Sequence, residues 1–269
     1  MFADAHVHLT DERFSGESLS LDRVDTILRQ SIQHNISLFL EAGVSPDGWS
    51  KQILLSKKYP DHVKYALGLH PYFIALSDRE DCETGLNELS RLILHAHALG
   101  ETGLDFRDQY VQNYADDRQI EFFENQYQLA VSINKPLVLH IVRAHEEALK
   151  VIQLWGPTKA TQKLLGMVHA FNGSYEVAKQ YLDQGFLISV GGAMTFEKNQ
   201  KLIEAVKKIP LEMLLLESDS PDQKPFNWKS ELNTPESVLL VAASVAQIKN
   251  RAVEEVLKIT TNNFKTLFT

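Results

Sequence analysis

Residues 2–9 read FADAHVHL, and the fold turns on what closes this first apolar strand. A doubly wound open sheet would place a glycine-rich phosphate turn here. The chain places His-Val-His instead, with His6 and His8 one residue apart. Side chains two apart on a strand project to the same face, so both imidazoles can reach one ion. Imidazole is a good ligand for zinc and other late divalent metals. On its own the spacing favours two surface or packing histidines, and the rest of the chain has to decide.

The pattern of short apolar strand followed by helix then repeats. Strands are expected at Phe2–Val7, Ile36–Glu41, Val63–Leu69, Leu99–Leu104, Leu137–Ile141, Gly166–Ala170, Phe186–Val190 and Met213–Glu217. Between them, apolar spacings of three and four predict helices over Leu19–His34, Ser50–Lys58, Gly85–His97, Asp117–Ile133, Ala144–Leu154, Tyr175–Gln184 and Asn199–Ile209. Two more follow, around Pro235–Gln247 and Val253–Leu267. Such alternation implies right-handed crossovers and a parallel sheet. Eight units in 269 residues predict a (β/α)8 TIM barrel of the α/β class with extra C-terminal helices, its site at the C-terminal ends of the strands. No repeat or Pro/Gly/Ser-rich linker divides the chain, so residues 1–269 are expected to form a single domain.

Composition narrows the function. The net charge is −8, whereas a protein that coats duplex DNA is normally basic, because phosphate neutralisation dominates its affinity. A nuclease is still compatible, since bound cations bring positive charge to the site itself. One cysteine, Cys82, allows no intramolecular disulfide and suits a reducing compartment. With no basic region leading into an apolar run at the N-terminus, a cytoplasmic location is expected. No apolar run approaches the ~18 residues of a membrane span, and no obligate protein partner is inferable.

The other strand ends change the reading of His6 and His8. GETGLD (100–105) delivers Glu101 and Asp105, and PLVLHIVR (136–143) delivers His140 with Arg143 just beyond. GMVHAFNGS (166–174) delivers His169, and LLLESDSP (214–221) delivers Glu217 and Asp219. An ionisable group at the end of an apolar strand is costly unless paired or liganded, and five of the eight expected strands end this way. His95 and His97, in RLILHAHAL (91–99), serve as an internal control. The stretch reads as helix, where residues two apart diverge, so these two are expected to carry no site. His6, His8, Glu101, His140, His169 and Asp219 exceed the needs of one four-coordinate zinc with an open position. They suit two ions about 3.5–4 Å apart sharing a carboxylate. Glu101, from the middle of the strand order, is the expected bridge.

Taken together, DAHVHL (4–9), GLHP (68–71), GETGLD, PLVLHIVRA, HAFNGS (169–174), SVGGAMTF (189–196), LLLESDSP, NTPE (233–236) and TTNNFKTLF (260–268) make the chain resemble the TatD family of metal-dependent hydrolases, within the amidohydrolase-like barrels. The resemblance implies metal-dependent hydrolysis, with deoxyribonuclease activity as the usual assignment. It implies that His6, His8, Glu101 and Asp219 hold one ion and Glu101, His140 and His169 a second, with His70 and Arg143 near substrate. The segment DQKPFNWKSELN (222–233) departs from the family's usual loop at the cleft mouth.

The expected reaction is hydrolysis of a phosphodiester by a water activated between two divalent ions. Asp219 is the proton acceptor, Glu101 the bridge, Arg143 a phosphate contact, and Glu217 orients a ligand from behind. Asp105 is expected to brace its loop. The expected substrate is DNA, at single-stranded regions or ends, or another phosphoester. Tyr72, Phe73, Phe106, Phe171 and Trp228 are candidates to stack on bases. Zinc is favoured; manganese, cobalt, nickel and magnesium are the alternatives. An amidohydrolase-like enzyme acting on a small amide, lactone or phosphoester is the first rival. Many such barrels bridge their metals with a carboxylated lysine, and Glu101 stands there instead. A non-catalytic metal-binding barrel is the second rival.

Overall fold

A computed structural model describes residues 1–16, 21–112, 115–156 and 165–269. Eight apolar strands lie in one parallel sheet in sequence order: β1 Phe2–Val7, β2 Ile36–Glu41, β3 Val63–Leu67, β4 Ala98–Asp105, β5 Leu137–Val142, β6 Gly166–Val168, β7 Phe186–Val190 and β8 Leu214–Leu216. The sheet closes where the chain beyond β8 meets β1. Asp219 N–H donates to the His6 carbonyl (3.0 Å), and His8 N–H to the Ser220 carbonyl (2.8 Å). The expected (β/α)8 barrel is therefore the observed one.

The helices are α1 Glu12–Ser15, α2 Leu21–Gln33, α3 Pro46–Lys58, α4 Pro71–Leu76, α5 Arg79–Leu92, α6 Ala115–Ser132, α7 His145–Trp155, α8 Tyr175–Asp183, α9 Gln200–Lys208, α10 Val238–Lys249 and α11 Val253–Phe268. Prolines open α3 and α4, where a missing N–H is no loss. Side-chain caps of Asp78 and Ser174 start α5 and α8. The first residues of the helix expected at Leu19–His34 lie outside the described residues. The helix expected over Gly85–His97 stops early, at Leu92, and a single 3-10 turn leads to His95. His97 then sits ahead of β4, where its Nδ1 accepts the Tyr65 N–H at 3.2 Å. Both histidines of that pair stay out of the site, though not because they share a helix. No helix among the described residues is long and apolar enough to cross a membrane.

One apolar cluster draws a member from every strand: Ala3 and Ala5, Leu38 and Leu40, Ala66, Ala98, Val138, Met167, Leu187 and Leu215. A set spanning all eight strands is the barrel interior, a packed core with no pore. From α11, Phe264, Leu267 and Phe268 join it from below, and Thr261 Oγ1 accepts the Ala3 N–H at 3.0 Å. The C-terminal helix thus closes the floor and leaves the strand C-termini as the open end. Two strands carry a bulge just before that end. Asp4 to Val7 on β1 spans Phe39 to Glu41 on β2, three steps against two, and Leu99 to Thr102 on β4 spans Leu137 to Leu139 on β5 in the same way.

Phe264→Ala should destabilise the fold by about 3–5 kcal/mol, read as a lowered midpoint in urea. A change below about 1 kcal/mol would show that α11 is not needed to close the floor.

Candidate metal centre

All six expected ligands converge at the open end, around the carboxylate of Glu101. Its backbone is fixed by donation to the Gly43 carbonyl at 2.6 Å, and the residue is 2% exposed. The two carboxylate oxygens face different neighbours. Oε1 lies 3.4 Å from His6 Nε2 and 3.5 Å from His8 Nε2. Oε2 lies 3.0 Å from His169 Nε2, 3.5 Å from His140 Nδ1 and 3.8 Å from His70 Nε2. Asp219 Oδ1 completes the first side, 3.7 Å from His6 and 3.4 Å from His8. Asp219 is held at φ 53°, and Gln223 donates to its Oδ2 at 2.5 Å.

Each imidazole is oriented by what its other nitrogen meets. Gly103 pairs with His140 between β4 and β5, with Glu101 and Asp105 two residues to either side. A side chain at Gly103, whose φ is 137°, would collide with the His140 carbonyl, so only glycine lets the strands meet there. His140 Nε2 rests against Asp105 Oδ2 at 3.2 Å, leaving Nδ1 toward Glu101. Arg107 clamps the same carboxylate, its Nε 2.9 Å from Oδ1. Asp105 therefore braces its loop as expected and also positions His140, a role the sequence reading missed. The signal was the alternation within GETGLD. His169 Nδ1 lies 3.4 Å from Glu217 Oε1. Glu217 is fully buried and accepts from Ala170 N–H (2.6 Å) and Ser189 Oγ (2.5 Å), so its oxygens are taken up in fixing His169 and its strand. His70 is the N-cap of α4. Its Nδ1 accepts the Tyr72 N–H at 3.0 Å, which puts the proton of the neutral ring on Nε2. In that tautomer His70 presents a donor to the cluster, not a ligand.

The charges follow from burial and proximity. Burial opposes ionisation of Glu101, but His6, His169 and His140 more than offset it and hold the carboxyl well below its usual range. Asp219 is likewise buried, and the hydrogen bond from His8 with the charges of His169 and His6 brings it down to about 2. Burial disfavours the His8 cation, yet Asp219 and Glu101 raise its pKa to about 9. His169 is raised well above its ordinary value against its burial, by Glu101 and Glu217. Burial and the nearby His169 lower His6, and burial and His140 lower His70 strongly.

These residues fit divalent cations. Both ring nitrogens of His6 are buried without a hydrogen-bond partner among the described residues, and the one that carries a lone pair is costly there unless a cation accepts it. Three overlapping triads bring side-chain N or O atoms within 4.8 Å of one another: His6–His8–Glu101, made of ligand candidates alone, and His6–His169–Glu217 and His70–Glu101–His140, in each of which one member, Glu217 or His70, supports the others. Nitrogen-rich sets of this kind suit late divalent metals.

Other expected site residues stand apart. Arg143, at φ 55°, leans out to the exposed Asp108 (3.3 Å) and touches none of the six. Among the stacking candidates, Phe171 is buried and Phe73 and Phe106 pack on the core; they are structural. Trp228 Nε1 donates to the Leu232 carbonyl within its own loop. Tyr72 lines a recess beside His8.

The fold and this cluster define a metal-dependent hydrolase. The model of the family described as TatD related DNase matches residues 3–269, and the chain belongs to the TatD family. It is 32% identical to the metal-dependent hydrolase BU355 of Buchnera aphidicola, over 98% of each chain. It is 33% identical to the metal-dependent hydrolase YcfH of Escherichia coli K12, over 98% of this chain and 94% of the other. The solved structure of the TatD homolog YjjV of E. coli K12 superposes with a TM-score of 0.85 at 26% identity, over 99% of this chain and 97% of the other. A phosphotriesterase-like lactonase of Deinococcus radiodurans, 13% identical with a TM-score of 0.67, shares the fold.

Ligation requires unprotonated rings, so metal uptake at neutral pH must expel the protons that His8 and His169 carry in the metal-free protein. Affinity should rise with pH as these rings lose their protons, His8 at about 9. Calorimetry in buffers of different ionisation enthalpy should record release of about one to two protons. Metal binding with no proton release would place the ions elsewhere. Asp105→Asn, which weakens the orientation of His140, should cost about 10–100-fold in metal affinity; an unchanged affinity would reduce Asp105 to a loop brace.

Proposed function

We propose that the protein is a two-metal phosphodiesterase acting on DNA, at single-stranded regions or ends. The observation that carries this reading is the division of labour at Glu101, one oxygen toward His6 and His8 and the other toward His140 and His169. A carboxylate so placed suits a bridge between two ions. The family description, TatD related DNase, supports DNA as the substrate class.

His6, His8, Asp219 and Glu101 would hold one ion, and Glu101, His140 and His169 the other; together they would neutralise the phosphoryl oxygens and make a bound water acidic. The chain's own groups supply the rest. Asp219 is ionised, its Oδ2 fixed by Gln223 and its Oδ1 turned to the cluster, and it takes the proton of the attacking water. His70 stays neutral and offers Nε2–H to a phosphoryl or leaving oxygen. Glu217 and Asp105 keep His169 and His140 in the tautomers that face Glu101. Arg143, exposed at the rim, is free to leave Asp108 for a phosphate of the strand. Zinc best matches four nitrogens among six ligands.

The test is cleavage of a labelled single-stranded oligonucleotide by metal-stripped protein, before and after each divalent cation is restored. Metal-dependent stepwise shortening is expected. Glu101→Ala should abolish it, and Asp219→Asn should slow it by about 10²–10⁴-fold. Undiminished cleavage by Glu101→Ala would overturn the two-metal reading. No cleavage of DNA by the fully loaded protein would overturn the substrate.

A further inference from the structure

Gln223 and Lys224, in the segment 222–233, help to wall a cavity of about 540 Å³ next to the candidate metal centre. Loops that follow β6, β7 and β8 line it with Asn172, Phe196, Lys198, Asn199, Gln223 and Lys224. Gln223 is the link, since it lines the cavity and also donates to Asp219 Oδ2 at 2.5 Å. The cavity therefore begins one side chain away from the candidate metal ligands.

Its walls are built in place. A side chain on Gly192 would collide with the Gln223 carbonyl and crowd Pro225 N, so the second glycine of VGGAM lets the segment seat against the turn after β7. Phe226 N–H donates to Thr195 Oγ1 at 2.7 Å. Asn233 Nδ2 bonds the carbonyls of Ser218 (2.8 Å) and Asp222 (2.7 Å). Arg13 grips Asp222 with two bonds, of 2.8 and 2.7 Å. Phe226 stays 55% exposed, edge-on to Phe196 with ring centroids 5.7 Å apart. Asn199 Nδ2 donates to Asn172 Oδ1 at 2.9 Å, leaving the Asn172 amide nitrogen as a donor.

The chemistry on this side is cationic and aromatic. Lys198 and Lys224 are exposed, and among the described residues neither ammonium has a carboxylate partner. Lys224 Nζ meets only the Glu231 carbonyl (2.9 Å), and Lys198 Nζ lies 5.8 Å from the Phe196 ring centroid. The recess formed by the loops after β1, β2 and β3 is the reverse. About 260 Å³ in volume, it is lined by His8, Tyr72 and the acidic Asp11, Glu12 and Asp47 with Lys51; Arg13 pairs with Asp11 at 2.9 Å and Lys51 lies 3.9 Å from Glu12, so its cations are already taken up by carboxylates. A polyphosphate strand crossing the centre therefore meets cations without carboxylate partners on the β6–β8 side, and paired cations with the further carboxylate of Asp47 on the other.

We propose that the cavity between the β6, β7 and β8 loops is a nucleotide subsite, which takes the phosphate and base next to the scissile bond. Lys198 and Lys224 take the phosphate, and the exposed Phe226 beside Phe196 takes the base. The acidic recess then receives the terminal nucleoside, which brings no further phosphate. The subsite gives the phosphodiesterase reading, on which it rests, a direction: the strand continues over the β6–β8 side.

The test is fluorescence anisotropy of a short fluorescein-labelled phosphorothioate oligothymidylate, which resists hydrolysis, with the metal-loaded protein. Lys198→Gln combined with Lys224→Gln should weaken binding about tenfold or more and reduce the slope of log K against log salt by about 1.4, two contacts at 0.7 each. Lys198→Gln alone, at a side chain that supports no backbone, should give about half that slope change. Phe226→Ala should weaken binding about tenfold, with no further loss when the probe carries an abasic unit beside its end. Cleavage of an ordinary oligonucleotide by wild type is measured in parallel. If wild type cleaves but the lysine variants bind with unchanged affinity and slope, the subsite is overturned and the phosphodiesterase reading stands. Lysine-dependent binding without cleavage removes the DNA-cleaving activity and keeps the subsite. If wild type does not bind the probe, the subsite is overturned, and cleavage of bis(p-nitrophenyl) phosphate then decides the phosphodiesterase reading on its own.

Discussion

A carboxylate with almost no contact with water survives as an anion only when positive or hydrogen-bond-donating groups surround it, because the desolvation penalty is several kcal/mol per ion. Glu101 is in that position, and the mouth of the barrel is organised around it. Five imidazoles approach its two oxygens. Each of three imidazoles is in turn fixed by a group on its far side: Asp105 behind His140, Glu217 behind His169, and the Tyr72 backbone N–H behind His70. The pattern runs from anion to imidazole to a fixed partner. It aims nitrogen lone pairs or N–H groups inward, and it needs side chains from strands all round the barrel.

The two bulges explain how strands that pack a floor also supply a site. Below the bulge on β1, Ala3 and Ala5 face the barrel interior; above it, His6 and His8 face Glu101. On β4, Ala98 faces the interior below the bulge, and Glu101, Gly103 and Asp105 share the site side above it. An extra residue reverses the odd–even alternation and re-aims the side chains beyond it. Without it, strict alternation would set His6 and His8 on the face opposite to Ala3 and Ala5. The small alanines leave room for Leu38, Leu40 and Met167 to fill the centre.

Much of this was legible in the sequence because strand order and strand-end chemistry are local signals. The apolar runs located all eight strands, and the six polar residues at their ends come together in space. What escaped depends on contacts between distant segments. The alternation that linked His6 to His8 holds only beyond the bulge, and no run of side chains announces a bulge. The roles of Asp105 and His70 depend on strand register and on the tautomer set by a neighbouring N–H. Arg143, placed near the chemistry by its position in PLVLHIVR, meets Asp108 at the rim and not the cluster, a contact between separate loops that the sequence does not announce. The aromatics were the weakest reading, because residues such as Phe171 also serve to seal the loops onto the core. Phe196 and Phe226 were missed, since only the docking of one loop on another makes them a pair.

That docking also bears on how substrate and catalysis are connected. Asp219 sits at the start of a segment whose far end is tied down by Asn233 and whose middle leans on Gly192 and Thr195. Gln223 is shared between the wall of the cavity and Oδ2 of Asp219. A nucleotide in the proposed subsite would therefore contact the residue that holds the proposed proton acceptor in place. Contacts remote from the reacting bond raise the rate only when they strengthen as the transition state forms. A wall that also carries the partner of Asp219 provides a direct route for that. Substitutions in residues 222–233 would then alter the cavity wall and the setting of Asp219 together, while the buried cluster around Glu101 keeps its ligands.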